Sequence, residues 1–293
     1  MIEPVTRQVR ASDGHELVGR FFLPDSAPAG AVLIAPAMGV TQVYYADLAA
    51  WLAARGLMVA TFDYRGIGRS RRGRLRDLRA DILDWATLDC AAVIDAVAAE
   101  APAVPLYWIG HSLGGQILPF IPNRDRITRV VTIAAGSGYW RENAAGLRWR
   151  DWWLWYVAVP VALRLVGYFP GRSLRKVGDL PRGVMAQWRR WCLDPEYAVG
   201  AEGEWARARY AAVRTPLVSL SFTDDEFMSA RNVASLHGFY TQAPKVMTRL
   251  RPADVGERRI GHFGFFRPRS AASLWEPYLL PALTPVAPDT GTN

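Results

Sequence analysis

Short apolar runs that end in turn residues alternate with helix-length segments along this chain, and that rhythm is what most constrains its fold. ELVGRFFLP, AVLIAPAMG, LMVATFDYRG, LYWIGHS, RVVTIAAG, PLVSLSFTDD and KVMTRLRP read as strands. Between them, TQVYYADLAAWLAARG and LRADILDWATLDCAAVIDAVAAE carry apolar residues at spacings of three and four. In the second, Leu83, Ala86, Ala91, Ile94 and Val97 fall toward one face. Strands separated by helices of this length are joined by right-handed crossovers, which predicts an α/β fold with a mostly parallel sheet and helices on both sides. The first two runs, with no helix between them, predict an antiparallel start.

The rhythm stops after VTIAAGSG and resumes at Thr215. Residues 139–212 hold Trp140, Trp149, Trp152, Trp153, Trp155, Trp188, Trp191 and Trp205 with helical patterning, so a helical cap is expected between a first core part, 1–138, and a second, 213–282. A helix around Ala230 to Tyr240, a strand near Val246 and a helix around Ala271 to Leu280 complete the second part. The Pro-rich tail 283–293 is expected to be disordered.

With 293 residues, half of them hydrophobic, the chain can bury one large core with an insertion, or two small ones. Cys90 and Cys192 lie far apart without metal-ligand spacing, so neither a disulfide framework nor a zinc site is suggested and a reducing compartment fits. MIEPVTRQVR lacks an apolar signal core, and the aromatic stretch 152–169 is short for a span and carries Pro160 and Arg164. The expectation is a cytoplasmic protein whose only membrane contact is peripheral. The net charge of +8 comes largely from arginines such as those between Arg65 and Arg79. No nucleic-acid motif accompanies them, so a solvated loop and no nucleic-acid partner are expected. RGIGRS fits neither a dinucleotide fingerprint nor a P-loop, and no cofactor or metal is expected.

LYWIGHSLGGQI places Gly110, Ser112 and Gly114 in the pattern GxSxG after an apolar run. That spacing suits a sharp strand-to-helix turn in which small flanking residues let the chain segments approach, exposing the serine hydroxyl at a helix N-terminus. A serine hydroxyl is a weak nucleophile without a base, and the base in turn needs an orienting carboxylate. The chain has four histidines. His15 lies in an early turn, His111 adjoins the serine with its side chain directed elsewhere, and His237 falls in a helical pattern. His262, in the glycine-flanked loop RRIGHFGFF after the last strand, is the favoured base. SLSFTDDEF offers Asp224, Asp225 and Glu226 at a strand end, one of which would orient His262.

Over most of its length the sequence resembles the α/β-hydrolase family, with a nearer likeness to bacterial lysophospholipase- and monoglyceride-lipase-like enzymes, and Ser112, Asp, His262 is that family's order. The family's acid lies three residues after a strand-ending glycine. Phe222 stands in that glycine's place, which points to Asp225 with Asp224 as the alternative. The resemblance implies an oxyanion hole from the amide of Leu113 and from the APAMGV loop, where Pro36-Ala37 replaces the usual His-Gly and Met38 is the expected donor, with Ala37 beside it. DYRGIGRS is similar to a structural turn of the family.

The implied activity is hydrolysis of a carboxylic or lipid-like ester through an acyl-serine, with thioester or other acyl cleavage as an alternative and a noncatalytic lipid- or protein-binding module as another. The cap is expected to admit a small apolar acyl substrate, with Ala37, Trp152 and Trp153 as candidate contacts. Its tryptophans either pack the cap or line the pocket, and the Arg148–Trp153 interleaving also suits a lipid interface.

Overall fold

The computed structural model describes residues 2–174 and 177–283, so the tail expected at 283–293 lies, apart from Leu283, outside the described residues. Eight strands form one sheet in the order β1-β2-β4-β3-β5-β6-β7-β8. They are β1 (Val5–Arg10), β2 (Glu16–Phe22), β3 (Gly30–Ala35), β4 (Leu57–Phe62), β5 (Leu106–His111), β6 (Ile127–Ile133), β7 (Leu217–Phe222) and β8 (Lys245–Leu250). From β4 to β8 every pairing is parallel. β3, β4 and β5 are buried at every position, as strands covered on both faces must be. This is the α/β-hydrolase fold.

The antiparallel start differs from the expected one. β1 pairs with β2, and β2 pairs with β4, while β3 crosses over to lie between β4 and β5. The apolar-run criterion passes over β1 because VTRQVR is an edge strand with most of its side chains exposed.

Period-two alternation in β3 divides the core into two layers. Ala31, Leu33 and Ala35 face one layer, together with Trp85, Val93 and Val97 of α2 (82–100) and the helical segment after β6. Val32 and Ile34 face the other, with Leu48 and Leu52 of α1 (Ala46–Ala53) and Trp275 and Leu279 of the closing helix 271–283. In α2 the buried stripe runs through Ile82, Trp85, Asp89, Val93 and Val97. Leu83 and Ala91 only flank it, half-buried.

The turn after β4 is held by its own polar groups. The Asp63 carboxylate accepts the backbone N–H groups of Gln42 and Arg69 and the Gln42 side-chain amide. Gly68, at φ +45°, leaves room for that carboxylate where a Cβ would overlap it. Arg65, buried, donates to Asp89 at 2.6 Å and to Asp13 at 2.6 Å, so the guanidinium is satisfied inside the protein.

Between β6 and β7 the described residues form helices and a single isolated bridge, Phe169 to Leu180. The helices are α4 (148–165), α5 (Arg182–Leu193), α6 (Tyr197–Glu202) and α7 (Glu204–Ala211), with the four-residue α3 (Leu113–Gln116) preceding them after β5. α4 widens into a π-type turn at Leu154–Ala158, just before Pro160. Pro160 has no N–H and its ring would crowd a regular preceding turn, and the wider turn relieves both.

Candidate active site

β5 ends at His111 and α3 begins at Leu113, so Ser112 alone turns the chain from strand to helix, at φ +49° and ψ −112°. A non-glycine residue there carries strain of about 1–3 kcal/mol, which persists only when its surroundings hold it. They do. The Ser112 N–H donates to the Ile133 carbonyl at 3.0 Å, and the Ser112 carbonyl accepts from the Gly115 N–H at 2.9 Å. A Cβ on Gly110 would lie 2.5 Å from the Gly114 carbonyl oxygen, and one on Gly115 would lie 2.7 Å from Ala135. One on Gly114 would overlap the Ala35 carbonyl of β3. The glycines are what allow three chain segments to touch here.

After a short 3₁₀ turn at Pro252–Val255, the loop that follows β8 has no helix or strand through His262, so its backbone polar groups need side-chain partners. Asp224 Oδ2 accepts the N–H groups of Ile260 (2.9 Å) and Gly261 (3.0 Å), and Glu226 Oε2 accepts that of His262 at 3.0 Å. Tyr44 Oη donates to the Phe263 carbonyl at 2.6 Å, and His111 Nε2 donates to the His262 carbonyl at 3.0 Å. Asp225 faces the ring instead. Its Oδ2 lies 2.9 Å from His262 Nδ1, and its Oδ1 accepts the N–H groups of Phe227 and Met228 at 2.8 and 2.9 Å. Asp225 and His262 are both buried. With Nδ1 turned to Asp225, Nε2 is the nitrogen left for the cavity that His262 lines together with Ser112.

The other histidines have structural surroundings. His111 is fully buried, and burial, with His262 alongside, pushes its imidazole well below the usual range. His237 donates through Nδ1 to the Val233 carbonyl at 2.7 Å and accepts at Nε2 from Thr132 Oγ1 at 2.9 Å. Burial lowers its pKa to about 4. His15 is half-buried, 3.3 Å from the Ser70 carbonyl.

The cavity holding Ser112 and His262 has a volume of about 350 Å³. Met38, Leu113, Phe227, Met228 and Phe263 line it from the core, and Leu147, Leu154, Trp155, Phe169, Met185 and Trp188 from the helical insertion. Trp152 and Trp153, expected at the pocket, are absent from its lining and exposed on the outer side of α4, because positions 152 and 153 face away from the buried stripe that carries Trp155. Ala37 lines the cavity, but its N–H donates to Tyr45 Oη at 2.9 Å and is already spent. Among the described residues the amides of Met38 and Leu113 donate to no protein acceptor. Tyr44 and Tyr45 escape sequence reasoning, and Glu226, one of the three acids offered there to orient the His262 ring, holds the His262 backbone N–H instead. Their partners lie 219, 66 and 36 residues away in the chain, and no local pattern signals such pairings.

Residues 26–174 match the family model described as Serine aminopeptidase, S33 (Hydrolase_4). A monoacylglycerol lipase of Mycolicibacterium smegmatis is 35% identical over 107 residues, 36% of this chain and 36% of that protein, so the chain matches about a third of that curated relative's length. An esterase of Pyrococcus furiosus superposes with a TM-score of 0.63 at 13% identity, covering 96% of this chain and 90% of that one. A soluble variant of the Saccharomyces cerevisiae monoglyceride lipase, solved with a substrate analogue, gives 0.60 at 16% identity over 85% of each chain. At these identities the structural likeness carries the fold. The family match spans 149 of 293 residues (26 through 174), including the Ser112 turn, and the chain belongs to the Hydrolase_4 (serine aminopeptidase, S33) family of α/β-hydrolases.

Proposed function

We propose that the chain is a serine hydrolase that cleaves carboxylic esters of apolar acyl groups, with Ser112 as nucleophile, His262 as general base and Asp225 as the carboxylate that orients it. The observation that carries this reading is the strained Ser112 turn opening into the same cavity as a His262 whose Nδ1 is held by buried Asp225. His262 Nε2 takes the Ser112 hydroxyl proton as Oγ bonds to the carbonyl carbon. The resulting oxyanion accepts from the Met38 and Leu113 amides. The protonated Nε2 then gives its proton to the departing alkoxide as the carbon–oxygen bond breaks, leaving an acyl-serine and a free alcohol. Water repeats the sequence and releases the acid.

Apolar lining from Leu154, Trp155, Met185 and Trp188 favours a hydrocarbon acyl chain, and the monoacylglycerol and monoglyceride lipases among the relatives make a glycerol monoester the first substrate to try. The same groups serve a thioester equally well in principle, so the leaving group is decided by assay. A fluorophosphonate probe is expected to label the wild type and not Ser112→Ala, and p-nitrophenyl esters of graded length to show a preference for medium or long chains. Absence of labelling in folded protein would abandon the hydrolase in favour of a binding module.

A peripheral contact with anionic lipid accompanies this reading. No helix among the described residues is long and apolar enough to cross a membrane. The outer side of α4, however, exposes Trp149, Trp152, Trp153, Tyr156, Val161 and Leu165, with Trp149 72% and Leu165 78% exposed. Arg164 is exposed on the same helix, as is Arg150, which also borders the cavity. Its inner side lines the cavity through Leu154 and Trp155, so a lipid resting on the outer side would lie one helix diameter from the site. Co-sedimentation with phosphatidylserine vesicles that is lost on Trp149, Trp152 and Trp153→Ser supports the contact, and protein left in the supernatant rejects it.

A further inference from the structure

We propose that Tyr45 and His111 are positioning residues, joining the loop that carries the Met38 amide to the loop that carries His262 by one directed chain of hydrogen bonds. The inference rests on the serine-hydrolase reading above, since it assigns a purpose to the distance between those two loops.

The chain has four bonded groups. The Ala37 N–H donates to Tyr45 Oη at 2.9 Å, Tyr45 Oη and His111 Nδ1 lie 2.9 Å apart, and His111 Nε2 lies 3.0 Å from the His262 carbonyl oxygen. Only one placement of protons satisfies all of them. A carbonyl oxygen can only accept, so His111 Nε2 carries the hydrogen. In a neutral imidazole Nδ1 must then accept, so Tyr45 gives its single hydroxyl proton to Nδ1 and receives the Ala37 N–H on a lone pair. Burial and the neighbouring His262 keep His111 neutral, so this arrangement persists across the pH range in which an enzyme of this kind would work.

Both side chains are buried, and neither is free to swing. The Tyr45 ring packs edge-on against Phe266 at 4.9 Å, and His111 lies 4.5 Å from the same ring. The chain begins one residue before the Met38 amide and ends on His262 itself. It therefore ties the group expected to hold the oxyanion to the group expected to move the proton, by a route separate from the Ser112 backbone. An error of about 1 Å in such a placement can cost about 10²-fold in rate while leaving binding of the rest of the substrate alone.

The test uses the full chain in two arms. In the kinetic arm, Tyr45→Phe is expected to lower kcat about tenfold with KM within about twofold, and His111→Gln, whose amide can still donate to the His262 carbonyl, to retain about tenfold more activity than His111→Leu. Tyr45→Phe combined with His111→Leu should fall no further than the worse single variant, because both cut one chain. In the second arm, ¹⁵N-histidine spectra should show His111 neutral with its proton on Nε2 from pH 5 to 8, and Tyr45→Phe should move both the His111 and His262 ring signals. Losses that multiply, a loss carried by KM, or His262 signals untouched by Tyr45→Phe would each overturn the proposal. Coupled ring signals in a protein that neither reacts with fluorophosphonate nor cleaves esters would leave the link between the loops standing and reject the hydrolase reading instead.

Discussion

Asp224 and Asp225 are adjacent in sequence, yet their carboxylates hold different parts of one loop: Asp225 lies 2.9 Å from the His262 ring, while Asp224 accepts the backbone N–H groups of Ile260 and Gly261. The two acids therefore differ in what their loss would do. Asp225→Asn leaves the shape in place but disturbs the tautomer and the charge that stabilises imidazolium, so kcat for a p-nitrophenyl ester should fall about 10³–10⁴-fold. Asp224→Asn weakens a backbone clamp, so the expected cost is about 1–3 kcal/mol in urea unfolding with a far smaller loss of kcat. Equal losses of kcat in the two variants would reverse these assignments.

The Ser112 turn should be intolerant of a single methyl group. Gly114→Ala drives a Cβ into the Ala35 carbonyl of β3, and Gly110→Ala places one 2.5 Å from the Gly114 carbonyl. Both contacts are with backbone, which cannot rotate aside. Each variant is expected to lose at least about 3 kcal/mol of stability or to fail to fold, whereas Gly146→Ala, which meets nothing within 4 Å, should change stability by less than about 1 kcal/mol. Denaturant midpoints measure the contrast.

His237 makes stability depend on pH in a definite direction. Its folded pKa of about 4 lies below the unfolded value of about 6.5, so above pH 6.5 both states are neutral and the full stability is present. Between pH 6.5 and 4 only the unfolded chain takes up the proton, and about 3 kcal/mol is lost. His111, buried and shifted the same way, adds to this slope. Unfolding free energy measured across that window should fall less steeply in His237→Gln, and identical slopes in the two proteins would contradict the buried neutral state.

The tryptophans of the insertion should separate into two groups. Trp188 lines the cavity, so Trp188→Ala should shift the acyl-length preference in an ester series toward longer or bulkier groups. Trp152 and Trp153 are exposed, so their alanine variants should keep that preference and stay within about twofold in kcat on soluble esters. A changed length profile in Trp152→Ala would place that side chain at the cavity after all.

Much of the architecture was legible in the chain because its signals are local. Alternation at period two and at three to four is written into neighbouring residues, and it marked seven of the eight strands, with only the polar edge strand Val5–Arg10 missed. GHSLGG announced its turn because the steric demand falls on residues two apart. The acidic triple pointed to a strand end without saying which carboxylate meets the histidine ring, since that choice depends on where a loop 36 or 37 residues later comes to rest. The same limit applies to the tryptophans: composition placed them in a helical insertion, but a widened turn and the packing of α4 decided that Trp155 faces inward and Trp152 and Trp153 outward. Sequence by itself determined most of the elements and the tight turn, because each follows from near-neighbour sterics and periodicity. Tertiary structure alone decided which carboxylate meets His262, that the Ala37 amide is spent on Tyr45, and which side chains enclose the cavity, because those depend on groups brought together from distant parts of the chain.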